Sequence, residues 1–172
     1  MKAERTLDYG LAISVIDSVF DEISEDGVDL YVPDVINENW VALYKDQLIG
    51  LYRVHQVNAI THQIHAFILP EYRCHSKESG EVILSWCLDN LDFHKLIAEI
   101  PSKYKNVYHF TKGQGFKDEG INRESFLKDG KIWDTYRLGI TRKEIEYGHS
   151  NSDSRRGGNR IEGEQESIKS GG

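Results

Sequence analysis

The chain is expected to fold as α/β: a twisted, mixed β-sheet of about six strands flanked by helices, followed by a disordered C-terminal tail. Three observations carry that expectation. Over residues 11–141 the apolar positions switch repeatedly between steps of three or four and steps of two, the periods of half-buried helices and strands. A strand stopped by Pro101 leads into a short helix, a Gly115-Phe116 corner and a closing hairpin. From Glu146 onward the composition turns to Ser, Gly, Asn, Arg and Glu, and Ile161 and Ile168 are the only large aliphatic residues, too few to offset the entropy of ordering the segment.

Each element has its own signal. In residues 11–23, Ala12, Ile13, Ile16, Val19, Phe20 and Ile23 recur at helical steps while Asp17, Asp21 and Glu22 take the other face, which predicts an amphipathic helix ended near Gly27. Residues 40–44 and 48–57 are two β-rich runs joined at Asp46-Gln47, a hairpin with Gly50 inside its second strand. Residues 61–69 alternate until Pro70 breaks them, and residues 80–90 return to helical spacing through Val82, Ile83, Trp86 and Cys87. Residues 93–100 form a strand ahead of Pro101. Residues 103–112 form a short helix with Tyr104, Val107, Tyr108 and Phe110 toward its buried side, stopped by Gly113 and Gly115. Residues 116–127 and 131–141 close the domain as a hairpin over Asp129-Gly130, a dipeptide that accepts the positive φ angles of a tight turn.

A chain of 172 residues with 39% hydrophobic content is long enough for one well-buried core, so one domain is expected over residues 1–145 with the tail at 146–172. The formal charge of −7 argues against nonspecific binding to nucleic acid or to an anionic membrane, both of which need a cationic surface. Cys74 and Cys87 are the only cysteines, without a CxxC pair, so neither a disulfide framework nor a structural zinc site is indicated. The charged start and the lack of an apolar run near the roughly 18 residues that a bilayer requires point to a cytoplasmic protein.

Pro70-Glu71-Tyr72-Arg73 after the central strand, and Gly115-Phe116-x-x-Glu119-Gly120 after the last helix, resemble the GCN5-related N-acetyltransferase (GNAT) superfamily over residues 11–142. Within it, residues 98–101, Glu119-Gly120-x-x-Arg123, Trp133-Asp134 and residues 138–142 are similar to the small GNAT-like proteins of tailed bacteriophages, some of which are associated with head assembly. The resemblance implies a V-shaped gap where the central strand parts from its neighbour. It also implies acetyl-coenzyme A as cofactor, and either an amine-bearing substrate or phage assembly proteins as partners.

It further implies where a cofactor would sit. Backbone groups of Phe67, Ile68 and Leu69 would pair with the pantetheine arm, and a diphosphate would dock on backbone N–H groups at a helix N-terminus. The family writes that loop as Arg/Gln-x-x-Gly-x-Gly/Ala. Counted from Arg73, the glycine positions fall on Ser76 and Glu78, and a carboxylate there repels phosphate. A slide of four residues to Lys77-x-x-Gly80-x-Val82 keeps one glycine and a cation, which implies a reshaped loop over residues 73–79. Arg73, Lys77, Ser79 and Gly80 are therefore the candidate phosphate-end residues, and the alternative is a helix start capped by Ser79 with no ligand.

The resemblance also implies a base near the central strand and a tyrosine acid in the last helix, for which His65, acting through water, and Tyr108 are the catalytic candidates here. The family's tyrosine position, four residues before Gly115, is Thr111 here, with Tyr108 one turn earlier. Alternation puts His62 and His65 on opposite sides of the sheet, so at most one faces a given cleft. His55, His62 and His65 lack an adjacent carboxylate or cysteine set and read as sheet residues rather than metal ligands. Trp40, Trp86 and Trp133 fall on separate elements and read as core.

Overall fold

A computed structural model describes residues 1–148. The described residues form a seven-stranded mixed sheet in the order β1-β2-β3-β4-β5-β7-β6, with strands β1 Lys2–Thr6, β2 Asn39–Lys45, β3 Gln47–Asn58, β4 Thr61–Ile68, β5 Lys95–Pro101, β6 Lys117–Lys128 and β7 Lys131–Thr141. Helices α1 Tyr9–Ile23, α2 Ser76–Asn90 and α3 Lys105–Gly113 cover its faces, and a 3₁₀ turn, Pro70–His75, leads into α2. Neighbouring pairs are antiparallel except β4 with β5, which run parallel.

Helix α1 forms where its pattern predicts. The Asp8 side chain caps it by accepting the Leu11 N–H at 2.9 Å, and Ala12, Val15, Ile16 and Val19 are buried. They meet Trp40, Leu51 and Phe67 on one face of the sheet. The opposite face holds the larger core, where Ile83, Leu84 and Cys87 of α2 pack on Val41, Tyr52 and Leu96. The two hairpin turns follow their residues: Asp46 takes φ +67° between β2 and β3, and Asp129 and Gly130 take +53° and +67° between β6 and β7.

Three expectations are corrected. Strand β1 is an additional strand at the sheet edge, paired from Lys2↔Tyr44 to Thr6↔Trp40; its sequence, KAERT, carries no apolar alternation to announce it. Residues 73–79 are not a loop: the 3₁₀ turn runs straight into α2, which starts four residues before Gly80. Residues 142–148 are helical, so 146–148 extend a helix whose Ile145 is buried in the core. The rest of the expected tail, residues 149–172, lies outside the described residues.

The end of α1 is tied to the β6–β7 hairpin. The Asp26 N–H donates to the Leu127 carbonyl at 2.9 Å, Gly130 N–H to Asp26 Oδ2 at 2.7 Å, and the buried Lys128 ammonium to the Asp21 carbonyl at 2.7 Å. The Tyr104 hydroxyl donates to the Glu22 carbonyl from the start of α3. No helix among the described residues is long and apolar enough to cross a membrane.

Candidate functional site

Strands β4 and β5 part company. Their register holds only for Thr61↔Lys95, His62↔Leu96 and Gln63↔Ile97. Beyond it β4 continues to Ile68 paired with β3 alone, and β5 continues to Pro101 paired with β7 alone. Backbone N–H and C=O groups alternate between the two edges of a strand, so those of residues 64–68 that face β5 have no strand partner. The opening is a cleft of about 1100 Å³, walled by β4 and β5, by Gly80, Ile83 and Leu84 of α2, by Val107, Phe110 and Thr111 of α3, and by Gln114 just past the end of α3.

The expected cofactor residues divide between this cleft and its surroundings. Residues Phe67 and Ile68 line it, while the Leu69 N–H is already spent on the Ile49 carbonyl at 3.1 Å. The Phe67 side chain is core, stacked on Trp40 with ring centroids 5.5 Å apart. Arg73 and Gly80 also line the cleft, with Arg73 pairing Glu22 of α1 at 2.6 Å. Ser79 is fully buried: its hydroxyl donates to the Ser76 carbonyl at 2.7 Å and lies 3.1 Å from the Tyr52 hydroxyl. It is therefore an interior residue and not the cap. That position belongs to His75, whose side chain makes no capping bond.

The helix start also differs from an open cradle. Ser76 has helical angles and its N–H donates to the Arg73 carbonyl within the 3₁₀ turn, so that amide is not free for an anion. Glu78, a feared obstacle, is turned away: it bonds Lys45 Nζ at 2.9 Å and the Met1 amine at 3.2 Å, and these partners, Lys45 first, hold its carboxyl below the usual range. Gln114 approaches the helix start from α3. Its Nε2 donates to the Lys77 carbonyl at 3.3 Å, and its carboxamide rests on Gly80.

His65 lines the cleft and sits opposite Arg53 in the β3–β4 ladder. Burial, then the Arg53 charge, then His55 push its imidazole down to about 3, so it is neutral at physiological pH. Its Nε2 is buried without a hydrogen-bond partner. His62 points to the other face, against Phe93 with ring centroids 6.4 Å apart, as strand alternation requires. Arg53 is itself gripped by Glu38, Nε to Oε2 at 2.6 Å with a second bond beside it.

Tyr108 does not reach the cleft. Its hydroxyl donates to Asp118 Oδ1 at 2.8 Å, its ring lies 4.8 Å from that of Tyr136, and the Asp118 bond raises its pKa above the ordinary value. Thr111, at the family's tyrosine position, does line the cleft, but its hydroxyl donates to the Val107 carbonyl at 2.9 Å. The sequence reading missed Gln114, the Glu22–Arg73 pair and the Glu38–Arg53 pair. Only Gln114 carried a local signal, as the residue before the Gly115-Phe116 corner. No group of three or more metal-ligating side chains occurs among the described residues.

Comparison with known proteins finds the same architecture. A spermidine/spermine N-acetyltransferase SpeG mutant from Vibrio cholerae superposes with a TM-score of 0.73 at 15% identity, over 86% of this chain and 97% of that one. A chimera of that enzyme with hSSAT gives 0.72 at 16% identity, over 85% and 99%. An N-acetyltransferase from Staphylococcus aureus gives 0.66 at 15%, over 83% and 97%. Likeness at this identity establishes the GNAT fold. No family model matches the sequence, and no curated protein matches it.

Proposed function

We propose that this chain is an acyl-coenzyme A-dependent N-acyltransferase-like protein that takes the pantetheine arm of its donor along β4. The observation that carries this reading is the end of β4–β5 pairing at Gln63↔Ile97, which leaves an unpaired strand edge along a cleft of about 1100 Å³. An amide-bearing arm is the ligand that such an edge suits, because it completes the missing ladder with its own donors and acceptors. The structural neighbours are named as N-acetyltransferases, two of them for spermidine, which supports an amine as acceptor.

The residues fit the arm better than they fit the diphosphate. The edge of residues 64–68 is open, whereas Ser76 N–H is spent and Gln114 rests on Gly80. When bound, the coenzyme supplies the thioester. The chain's own contribution is to hold the arm on β4, to present the acceptor from the α1 side past His65 and the Glu22–Arg73 pair, and to exclude bulk water. A neutral His65 near pKa 3 is too weak a base to strip an ammonium; its role in this reading is to accept or donate one hydrogen bond. Calorimetry with acetyl-coenzyme A is the test. Binding tighter than about 1 mM, lost in Gly80→Glu, is the expected result; a folded protein that gives no heat at millimolar ligand sinks the reading.

A second reading has observations of its own. The wound helix start, the outward Tyr108 and the weakly basic His65 suit a GNAT scaffold that no longer catalyses. In that case we propose an accessory role in bacteriophage head assembly in the host cytoplasm, through contacts with capsid or portal proteins. Co-purification with such components by a protein indifferent to coenzyme A distinguishes it.

A further inference from the structure

We infer that Gln63, His65 and Glu99 form a capture site for a primary alkylammonium group at the closed end of the cleft, and that this site makes the protein prefer charged primary amines over neutral or anionic acceptors. Calling that ligand an acceptor rests on the acyl-transfer reading, which the inference deepens by naming the residues that hold it. Strand alternation puts all three side chains on the α1 face. Gln63 and His65 are two apart on β4, and Glu99 lies two beyond Ile97, the β5 residue paired with Gln63. His65 and Glu99 are thus the first positions of that face on either side of the split, and all three residues line the cleft.

The Glu99 carboxylate reaches across the split. Its cross-strand neighbour on β7 is Arg137, yet among the described residues it makes no ion pair, and its hydrogen bond comes from Gln63 Nε2 at 3.4 Å, at the weak end of the range. The other carboxylates of the cleft wall are engaged, Glu22 by Arg73 at 2.6 Å and Glu25 by the Leu127 N–H at 3.3 Å. The Arg53 charge is matched by Glu38 and that of Lys103 by Asp129. An alkylammonium brings three N–H donors and no acceptor. The site offers the complement: the Glu99 carboxylate, the Gln63 carboxamide oxygen left over when Nε2 donates, and the neutral His65 imidazole, whose enclosed Nε2 has no partner. A buried polar atom without a partner is where a ligand group or a water belongs. A carboxylate ligand would meet Glu99 as a like charge, and a hydroxyl would bring one donor and no charge.

The test is NMR titration of the full-length chain with n-butylammonium chloride, read on the Gln63 side-chain NH2 signals, which are identified by their absence in Gln63→Leu. The neutral 1-butanol and the anionic butyrate are the controls, and thermal melts verify that each variant folds. The amine is expected to bind with a millimolar Kd and each control about fivefold more weakly or worse. Glu99→Gln should weaken the amine about tenfold or more, the scale of one charge-assisted hydrogen bond. Glu25→Gln, on the same wall, and Glu81→Gln, an exposed carboxylate of α2 outside the cleft, should each stay within about twofold. The capture site is overturned if Glu99→Gln stays within about twofold, if Glu25→Gln weakens the amine as much, or if butanol or butyrate binds as well as the amine. Calorimetry with acetyl-coenzyme A separates the two readings. Donor heat without an amine site leaves the acyl-donor reading standing alone, whereas an amine site in a protein that gives no donor heat keeps the capture site and removes only its role in acyl transfer.

Discussion

The imidazole of His65 stacks on that of His55 across the β3–β4 ladder, ring centroids 5.4 Å apart and 19° from parallel. Burial, Arg53 and the second imidazole all oppose protonation of His65, so its folded-state pKa, about 3, lies below the roughly 6.5 of an unfolded histidine. At pH 7 and above both states are neutral and the contribution to stability is complete. As pH falls through about 6.5 toward 3, the unfolded chain binds a proton that the folded chain refuses, and stability is lost. Urea midpoints at pH 7 and pH 5 should therefore differ less in His65→Gln than in the wild type. An equal or larger difference in the variant contradicts the assignment. His55 and His62, lowered in the same sense by burial, add to the slope that remains.

Phe67→Ala separates core from site. The side chain is 7% exposed and stacked on Trp40, so its removal is expected to cost about 3 kcal/mol or more in urea unfolding. A loss below about 1 kcal/mol would show that the ring is not the packed anchor of the α1 face.

The buried Tyr52 hydroxyl, whose pKa burial lifts to about 12, meets Ser79 Oγ at 3.1 Å. Tyr52→Phe leaves Ser79 still bonded to the Ser76 carbonyl, so a cost of about 1 kcal/mol by chemical denaturation is expected. A loss above about 3 kcal/mol would mean that the pair supports more than its own hydrogen bond.

Two glycines make predictions of different size. A Cβ on Gly50 would fall 2.3 Å from the Phe67 carbonyl oxygen and 2.8 Å from Ile68 Cα, both backbone atoms of the cleft strand. A Cβ on Gly139 would meet the flexible ends of Glu119 and Lys95. Gly50→Ala is expected to destabilise by about 3 kcal/mol and Gly139→Ala by about 1 kcal/mol or less, measured by thermal and urea unfolding. The reverse order would refute the close approach of β3 to β4.

Tyr108→Phe should leave acetyl-coenzyme A affinity, and any turnover with amines, within about twofold of wild type, because the hydroxyl is bonded to Asp118 outside the cleft. A loss of tenfold or more in turnover at unchanged affinity would restore it as the acid.

Much of the fold was legible because its signals are local. Asp129-Gly130 specifies its turn, Pro70 and Pro101 end their strands, and spacing picks out Ala12, Ile16 and Val19 of the buried α1 stripe, though it passes over buried Val15 and includes Ile23, which is exposed. Strand β1 was not legible: Lys2, Glu4 and Arg5 earn their place only by pairing with β2, a long-range fact. The start of α2 was hidden because Ser76, Lys77 and Glu78 form no apolar stripe, so the first periodic residue was mistaken for the first helical one. At the site, the side of the sheet taken by His65 could be read from alternation, but not the Arg53 charge beside it. The direction of Tyr108 was not legible because it is set by Asp118 and Tyr136 on other elements. Gln114 packs against Gly80 of α2, a contact that no sequence spacing encodes.

The stitching of Asp21, Glu22 and Asp26 to Lys128, Tyr104 and the Leu127–Gly130 backbone has a mechanical consequence. With one end of α1 stitched to the far half of the sheet, any hinge-like parting of the two halves along the β4–β5 split has to break these hydrogen bonds first.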